Sequence, residues 1–488
     1  MKPTGFQIIS GLGLLAALQG CEVGPNFHVP AAPDARLAVP AGNTAQQFTP
    51  GADIAGDWWT LYKSPVLNAL IANALANNPN LTAAQASLVE AQENLRGAYG
   101  LLSPTITGAL GAQREQPSSA QLATFGGGSG RIRPYTLYNA SLSVSYAVDL
   151  WGASRRNIEG LRAQAAYQRD ELEAAYLSLT GNIVTAAVQL ASLQAQIDAT
   201  SQVIGAERQM LDILQAQQAL GGASGAQVLQ QQAQLAQAET TLPPLEAQLA
   251  QEQNQLAAYE GTFPGNAPPP VLTLAGLTLP RDVPVSLPSA IVAQRPDIRA
   301  ASAQLHVASA NVGIADAQML PQITLSGEIG HSSLSPGTLF TPQTLLWNLV
   351  SGLSQPIFEG GQLAANRRGK IAALRLAGAN YQNTVVTGFQ NVADALAALQ
   401  YDGETLADAQ AARDAAAQSL AVTQAQYKLG GESLVTVLTA QTALQNAAIT
   451  EVKAQAARLS DTAALYVALG GGWWHRADVA RDCCGVVP

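Results

Sequence analysis

Cys21 carries the plainest chemistry in this chain. It ends the quartet Leu18-Gln19-Gly20-Cys21, behind an apolar run over 8–18 and a lone early charge, Lys2. That run is far shorter than the roughly 20 residues a membrane-spanning helix needs, so 1–20 read as a cleavable export signal. The quartet has the form of a bacterial lipobox, in which the Cys becomes the lipidated first residue of the mature protein. Glu22 stands where an Asp would favour retention at the inner membrane, so sorting to the outer membrane is expected.

The other reactive residue types assemble nothing. His28, His306, His331 and His475 are scattered, and together with Cys483 and Cys484 they match no metal-ligand spacing. The sequence has no Gly-x-Ser-x-Gly elbow, no His-Glu-x-x-His and no phosphate-binding Gly loop. Asp149 and Glu328 lie in alternating segments, and spacing pairs neither with a second carboxylate. We therefore expect no enzyme activity, no metal and no cofactor. With 25 Lys+Arg against 34 Asp+Glu, a net charge of −9, the chain offers no footprint for nucleic acid. Charged residues make up 12%, about half the usual share, and the 48% hydrophobic content is mostly Ala, Leu and Val. The 488 residues suggest about three domains.

The elements that must carry any function come in two copies. Asn78-Pro79-Asn80-Leu81-Thr82-Ala83-Ala84 pairs with Arg295-Pro296-Asp297-Ile298-Arg299-Ala300-Ala301 at an offset of 217. Further on, Gln215-Ala216-Gln217 and Leu220-Gly221-Gly222 return as Gln424-Ala425-Gln426 and Leu429-Gly430-Gly431 at an offset of 209. Each copy reads as two short helices, two strands, a long helix, a turn and a returning helix. The long helix of the first copy runs over 153–220, with a heptad seam through Leu172, Leu179, Ile183, Leu190, Leu193 and Ile204. The second copy keeps that register in Val385, Val392, Leu396, Leu399 and Leu420. Thr200 and Glu207 fall on the seam and should weaken it. Helices return over 226–259 and 434–469, the first with a break expected at Pro243-Pro244.

Alternation of apolar with Ser, Thr and Gln residues marks strands at about 105–111, 141–150, 322–330 and 346–357. Segments near ten residues of this kind suit a transmembrane β-barrel, with 117–130 and 332–342 as outward loops. Four strands leave two open edges, and unpaired backbone is not tolerated in hydrocarbon. The chain must then share a barrel with copies of itself: two would give eight strands, three would give twelve and a water-filled interior. The boundaries read as a signal over 1–20, an extended segment over 21–60, a first copy over 61–262, a linker over 263–284, a second copy over 285–473 and a tail over 474–488.

The chain closely resembles the outer-membrane factor family of tripartite efflux systems, the TolC-like proteins, in their NodT/OprM lipoprotein branch. The resemblance rests on Gly20-Cys21-Glu22-Val23-Gly24-Pro25, Trp58-Trp59, Arg295-Pro296-Asp297, Leu320-Pro321, Phe358-Glu359-Gly360-Gly361, Tyr427-Lys428-Leu429-Gly430-Gly431 and Gly470-Gly471-Gly472-Trp473. It implies a mainly α, internally duplicated chain whose homotrimer forms a 12-stranded β-barrel continued by a long α-helical periplasmic barrel. The implied role is a passive, gated exit duct in the Gram-negative outer membrane, lipid-anchored and extending into the periplasm. A periplasmic adaptor protein and an inner-membrane efflux pump are its implied partners.

Within this resemblance Tyr427 matches a gate-region Tyr, and Thr439 stands where the family often carries an acid that closes the periplasmic end. Both turns lie about 70 residues of helix from their strands, near 100 Å at one level, which makes them the adaptor-docking tip. The tip residues are Leu220, Gly221, Gly222, Lys428, Leu429, Gly430, Gly431, Glu432 and Ser433. A periplasmic adaptor lipoprotein is the alternative reading, but it would carry one hairpin between Gly-rich β-domains, not two in tandem.

Overall fold

The computed structural model describes residues 22–33, 46–116, 133–266, 270–286 and 288–476. The signal with Cys21, the loop 117–130 and the Cys483-Cys484 tail lie outside the described residues. The order is β1 (Gln47–Pro50), α1 (Pro65–Asn77), α2 (Pro79–Tyr99), β2 (Thr105–Glu115), β3 (Tyr135–Val148), α3 (Ala153–Ala219), α4 (Gly225–Glu239) and α5 (Leu242–Tyr259). It continues with β4 (Asp282–Val285), α6 (Pro288–Gln294), α7 (Pro296–Ala317), β5 (Gln322–Ser333), β6 (Leu345–Ser354), α8 (Gln362–Lys428) and α9 (Leu434–Ala468). The long helices α3 and α8 are both 67 residues and stand 209 residues apart at both ends. Each is about 100 Å long.

Two compact units divide the chain, one from the segments up to 29, 89–167 and 302–380, the other from 30–88, 168–301 and 381 onward. The first unit holds one antiparallel sheet in the order β2-β3-β5-β6. Register puts Ile106, Val144, Gly327 and Leu349 in one row, and Thr107, Ser143, Glu328 and Asn348 in the next. Side chains alternate between faces, so the sheet has one apolar and one polar face. The apolar side chains Ile106, Leu110, Trp347, Leu349 and Leu353 are exposed.

Three strands are longer than the alternation alone suggests, at 11, 14 and 12 residues, while β6 has 10 and stops at Ser354, so 355–357 are not strand. One assignment is corrected. Asp149 and Leu150 are not part of β3, which ends at Val148. Asp149 instead accepts hydrogen bonds from the Ser154 and Arg155 amides at 3.1 and 3.0 Å. These are free donors of the first turn of α3, and a carboxylate there also meets the positive end of the helix dipole. A second correction concerns 332–342, which is not all loop: Ser332 and Ser333 finish β5 before two short 3-10 turns.

In the second unit the heptad seam is the core. Ile183, Leu190 and Leu193 of α3 and Val392, Leu396 and Leu399 of α8 are buried. The first return breaks at Thr240-Thr241, so that Pro243 and Pro244 occupy the first turn of α5, where a missing N–H costs nothing. An aromatic cluster fills the far end: Trp58 is fully buried and stacks on Tyr466 at 5.2 Å between centroids. Near it β1 and β4 form a short parallel pair, Gln47 opposite Asp282. At four residues each they were too short to read from alternation.

The duplication persists at the level of single hydrogen bonds. Asn78 donates its Nδ2 to the carbonyl of Tyr259, the last residue of α5, at 2.8 Å. Arg295, at the matching position, donates Nη1 to the carbonyl of Ala468, the last residue of α9, at 2.6 Å. Each side chain thus satisfies a carbonyl that helix geometry leaves without a partner. Asp297 holds the Arg295 guanidinium in a two-bond fork at 3.0 and 2.6 Å. The Arg-Pro-Asp element is a helix junction.

Candidate functional site

Among the described residues the candidate surfaces are the sheet, the two hairpin turns and the segment after Cys21. That segment is firmly held. The Val23 amide donates to the Trp151 carbonyl at 3.1 Å. Buried Arg156 donates to the Val23 carbonyl, Asn26 Oδ1 and Glu159, and it lies 3.4 Å from the Glu22 carboxylate. Phe27 stacks on His306 at 4.2 Å, and His306 Nε2 meets Glu159 Oε1 at 2.7 Å. The residues directly after Cys21 are therefore fixed beside the end of β3 and the start of α3, where a lipid on Cys21 would be tethered. Sequence reasoning gave no sign of this clamp, because its parts are more than 100 residues apart.

The two turns are built alike. Gly221 and Gly430 take φ of 78° and 76°, the left-handed region that a side chain disfavours. The Gly222 and Gly431 amides donate back to Gln217 and Gln426 at 2.7 and 2.9 Å, closing each helix with the same capping motif. Ser224 caps α4 in a box with Gln227, and Ser433 caps α9 by accepting from the Thr436 amide at 3.2 Å. Ser433 thus has a structural task, while Lys428 and Glu432 are exposed. Leu220 and Leu429 are 87% and 88% exposed. Tyr427 is partly exposed beside them. Thr439, the other gate candidate, is exposed and donates its hydroxyl to the Val435 carbonyl of its own helix at 2.9 Å.

Glu207 does not merely weaken the seam. Its carboxylate accepts from Gln231 Nε2 at 2.6 Å and from Thr442 Oγ1 at 3.2 Å, so it ties α3 to α4 and to α9. Around it opens a cavity of ≈ 1080 Å³ that Thr439 also lines, together with Gln196, Asn446 and Lys453. Higher in the second hairpin Asp402 and Asp461 face each other. Burial, the hydrogen bond to Asp461 and its charge push the Asp402 carboxyl up to about 7, against the opposing pull of Arg458.

A duplicated helical-hairpin chain with one amphipathic four-stranded sheet is the architecture of an outer-membrane channel, and the sequence bears this out. The chain belongs to the Outer membrane efflux protein family, which it matches over residues 70–262 and 287–471. It is 30% identical over 445 residues to the pyoverdine export outer membrane protein OpmQ of Pseudomonas putida, covering 91% of this chain and 94% of that protein. It is 29% identical over 485 residues to the toluene efflux pump outer membrane protein TtgF of Pseudomonas putida, covering 95% and 96%. Among solved structures, the outer membrane protein VceC of Vibrio cholerae superposes with a TM-score of 0.76 at 27% identity, over 86% of this chain and all of that one. The Campylobacter jejuni outer membrane channel CmeC superposes with a TM-score of 0.85 at 23% identity, over 93% and 95%. The chain is an outer-membrane efflux channel component, and the adaptor reading is set aside.

Proposed function

We propose that three copies of this chain close into one twelve-stranded barrel that acts as the passive exit duct of a tripartite efflux assembly. The observation that carries this reading is the sheet: four strands, apolar on one face and polar on the other, with the outer edges of β2 and β6 unpaired among the described residues. An exposed apolar face belongs in lipid, and open edges in lipid must be paired. Joining β6 of one copy to β2 of the next leaves no edge, and the polar faces of Ser, Thr and Gln then line a water-filled lumen. A periplasmic adaptor and an inner-membrane pump supply connection and energy. Cys21 is the lipidated residue, tethered through the 22–27 clamp.

The exposed Leu220 and Leu429, with Lys428 and Glu432, form the adaptor-docking tip in this reading, and Tyr427 and Thr439 the gate region behind it. The test uses the full-length protein in its own membrane. Native mass measurement in detergent should give three chains, and a photo-crosslinker at Lys428 or Glu432 should capture the adaptor in cells. A stable monomer or dimer sinks the barrel. Absence of any adaptor adduct from both positions, with the trimer intact, sinks the tip assignment.

A further inference from the structure

Strand register separates the carboxylates of the sheet from its cations. Residues paired across neighbouring strands share a face. Glu328 pairs with Ser143 and Asn348, and Glu115 pairs with Tyr135, all in the rows of the polar face. The other Lys, Arg, His, Asp or Glu side chains of the four strands are Arg114 and His331, and both fall in the rows of the apolar face near the outer end. The polar face thus carries two carboxylates per chain and no cation.

Both carboxylates are held by neutral donors. Glu328 accepts from Asn348 Nδ2 at 3.3 Å. Glu115 accepts from Gln113 Nε2 at 3.2 Å and from the Tyr135 hydroxyl. Such bonds orient a carboxylate without cancelling its charge. Among the described residues neither carboxylate forms an ion pair. Along β3 their levels, Ser143 and Tyr135, are eight residues apart, about 27 Å.

We infer that the outer part of this duct is cation-selective, with Glu328 as its principal selectivity residue and Glu115 as a second ring nearer the exit. The inference rests on the proposed three-chain barrel with its polar face inward. Three copies set six carboxylates around one lumen at two levels, and no strand cation offsets them. A passage lined by one sign of charge concentrates counter-ions and repels co-ions. The field reaches furthest at low salt, where screening extends over about 30 Å at 0.01 M against about 10 Å at 0.1 M. Small cations and solutes presenting an ammonium group are favoured in this stretch over carboxylates and phosphates.

The test is the reversal potential of the purified full-length protein in a planar bilayer under a dilute KCl gradient. We expect K+ to be favoured over Cl− by roughly three-fold or more. Glu328→Gln should reduce that preference, and Glu115→Gln with Glu328→Gln should bring it to about unity. Glu328→Lys should invert it, while the isosteric Gln variants keep the test valid if the Lys variant fails to insert. A wild type that prefers Cl−, or a preference unchanged in the double Gln variant, overturns the inference. A native mass of one or two chains for the same purified protein overturns the barrel reading beneath it instead.

Discussion

Asp402 on α8 and Asp461 on α9 meet inside the second hairpin, where burial penalises charge and each carboxylate repels the other. A shared proton relieves both costs. The direction of the pH effect follows from linkage. The ordinary value is 3.8 and the folded value about 7, so between them the folded chain keeps a proton that the unfolded chain releases. The stabilising contribution is complete below 3.8 and is lost as pH rises through about 7. Asp402→Asn keeps a neutral hydrogen-bonding group opposite Asp461 and removes the titration. In detergent, the thermal midpoint by circular dichroism should fall from about pH 5 to about pH 8 in the wild type, and fall less in Asp402→Asn. The variant should be the more stable of the two at the higher pH. Equal pH dependence in the two proteins would show that this pair does not titrate in the neutral range.

At the scale of elements, the periodic parts were legible and the junctions were not. The first long helix was legible to within one residue and the second by its register, because a buried seam repeats over many turns, and Leu-Gly-Gly gave both turns because only Gly accepts their backbone cheaply. The strand faces followed from alternation, whereas the β3 end did not: Asp149 continues the pattern but caps α3. The Arg156 clamp, β1 with β4, and the role of Glu207 depend on partners far away in sequence, which no local pattern encodes. The Arg-Pro-Asp element was visible as a landmark, and only the structure gives its use. Arg295 and Asn78 make matching bonds, but the Arg bond is charge-assisted and forked to Asp297. Arg295→Ala should therefore cost about 2–3 kcal/mol and Asn78→Ala about 1 kcal/mol, read from urea unfolding of the detergent-solubilised protein. Equal losses would mean that the duplicated junctions share one role and that the added charge contributes nothing.

At the scale of the whole molecule, the internal repeat states what a neighbouring copy must touch. Within one chain α3 lies against α9: Ala206 and Met210 bury Leu438, and Ile213 packs on the same cluster. Shifted by 209 residues, these positions become Ala415, Ser419 and Val422 on α8, and Leu229 on α4. Leu438 is 4% exposed, yet its counterpart Leu229 is 66% exposed, and Val422 is 57% exposed where Ile213 is partly buried. Val386 on α8 is likewise exposed, although its counterpart Leu177 is buried. Half of a duplicated interface is thus satisfied inside the chain and half is left open. Leaving two large aliphatic side chains in water forgoes about 1.5–3 kcal/mol each, so an alternating ring of hairpins, α8 of one copy against α4 of the next, is the arrangement that recovers both. The expectation is specific. In a chain with Cys483→Ser and Cys484→Ser, the pair Leu229→Cys and Val422→Cys should be joined by a short bismaleimide into covalent dimers and trimers. Leu229→Cys alone should give none, because its neighbour then offers no thiol at that level. Should the double variant stay monomeric on denaturing gels while its native mass remains that of three chains, the copies meet through some other helix pair. The 209-residue shift would then relate the folds of the two halves without relating their contacts.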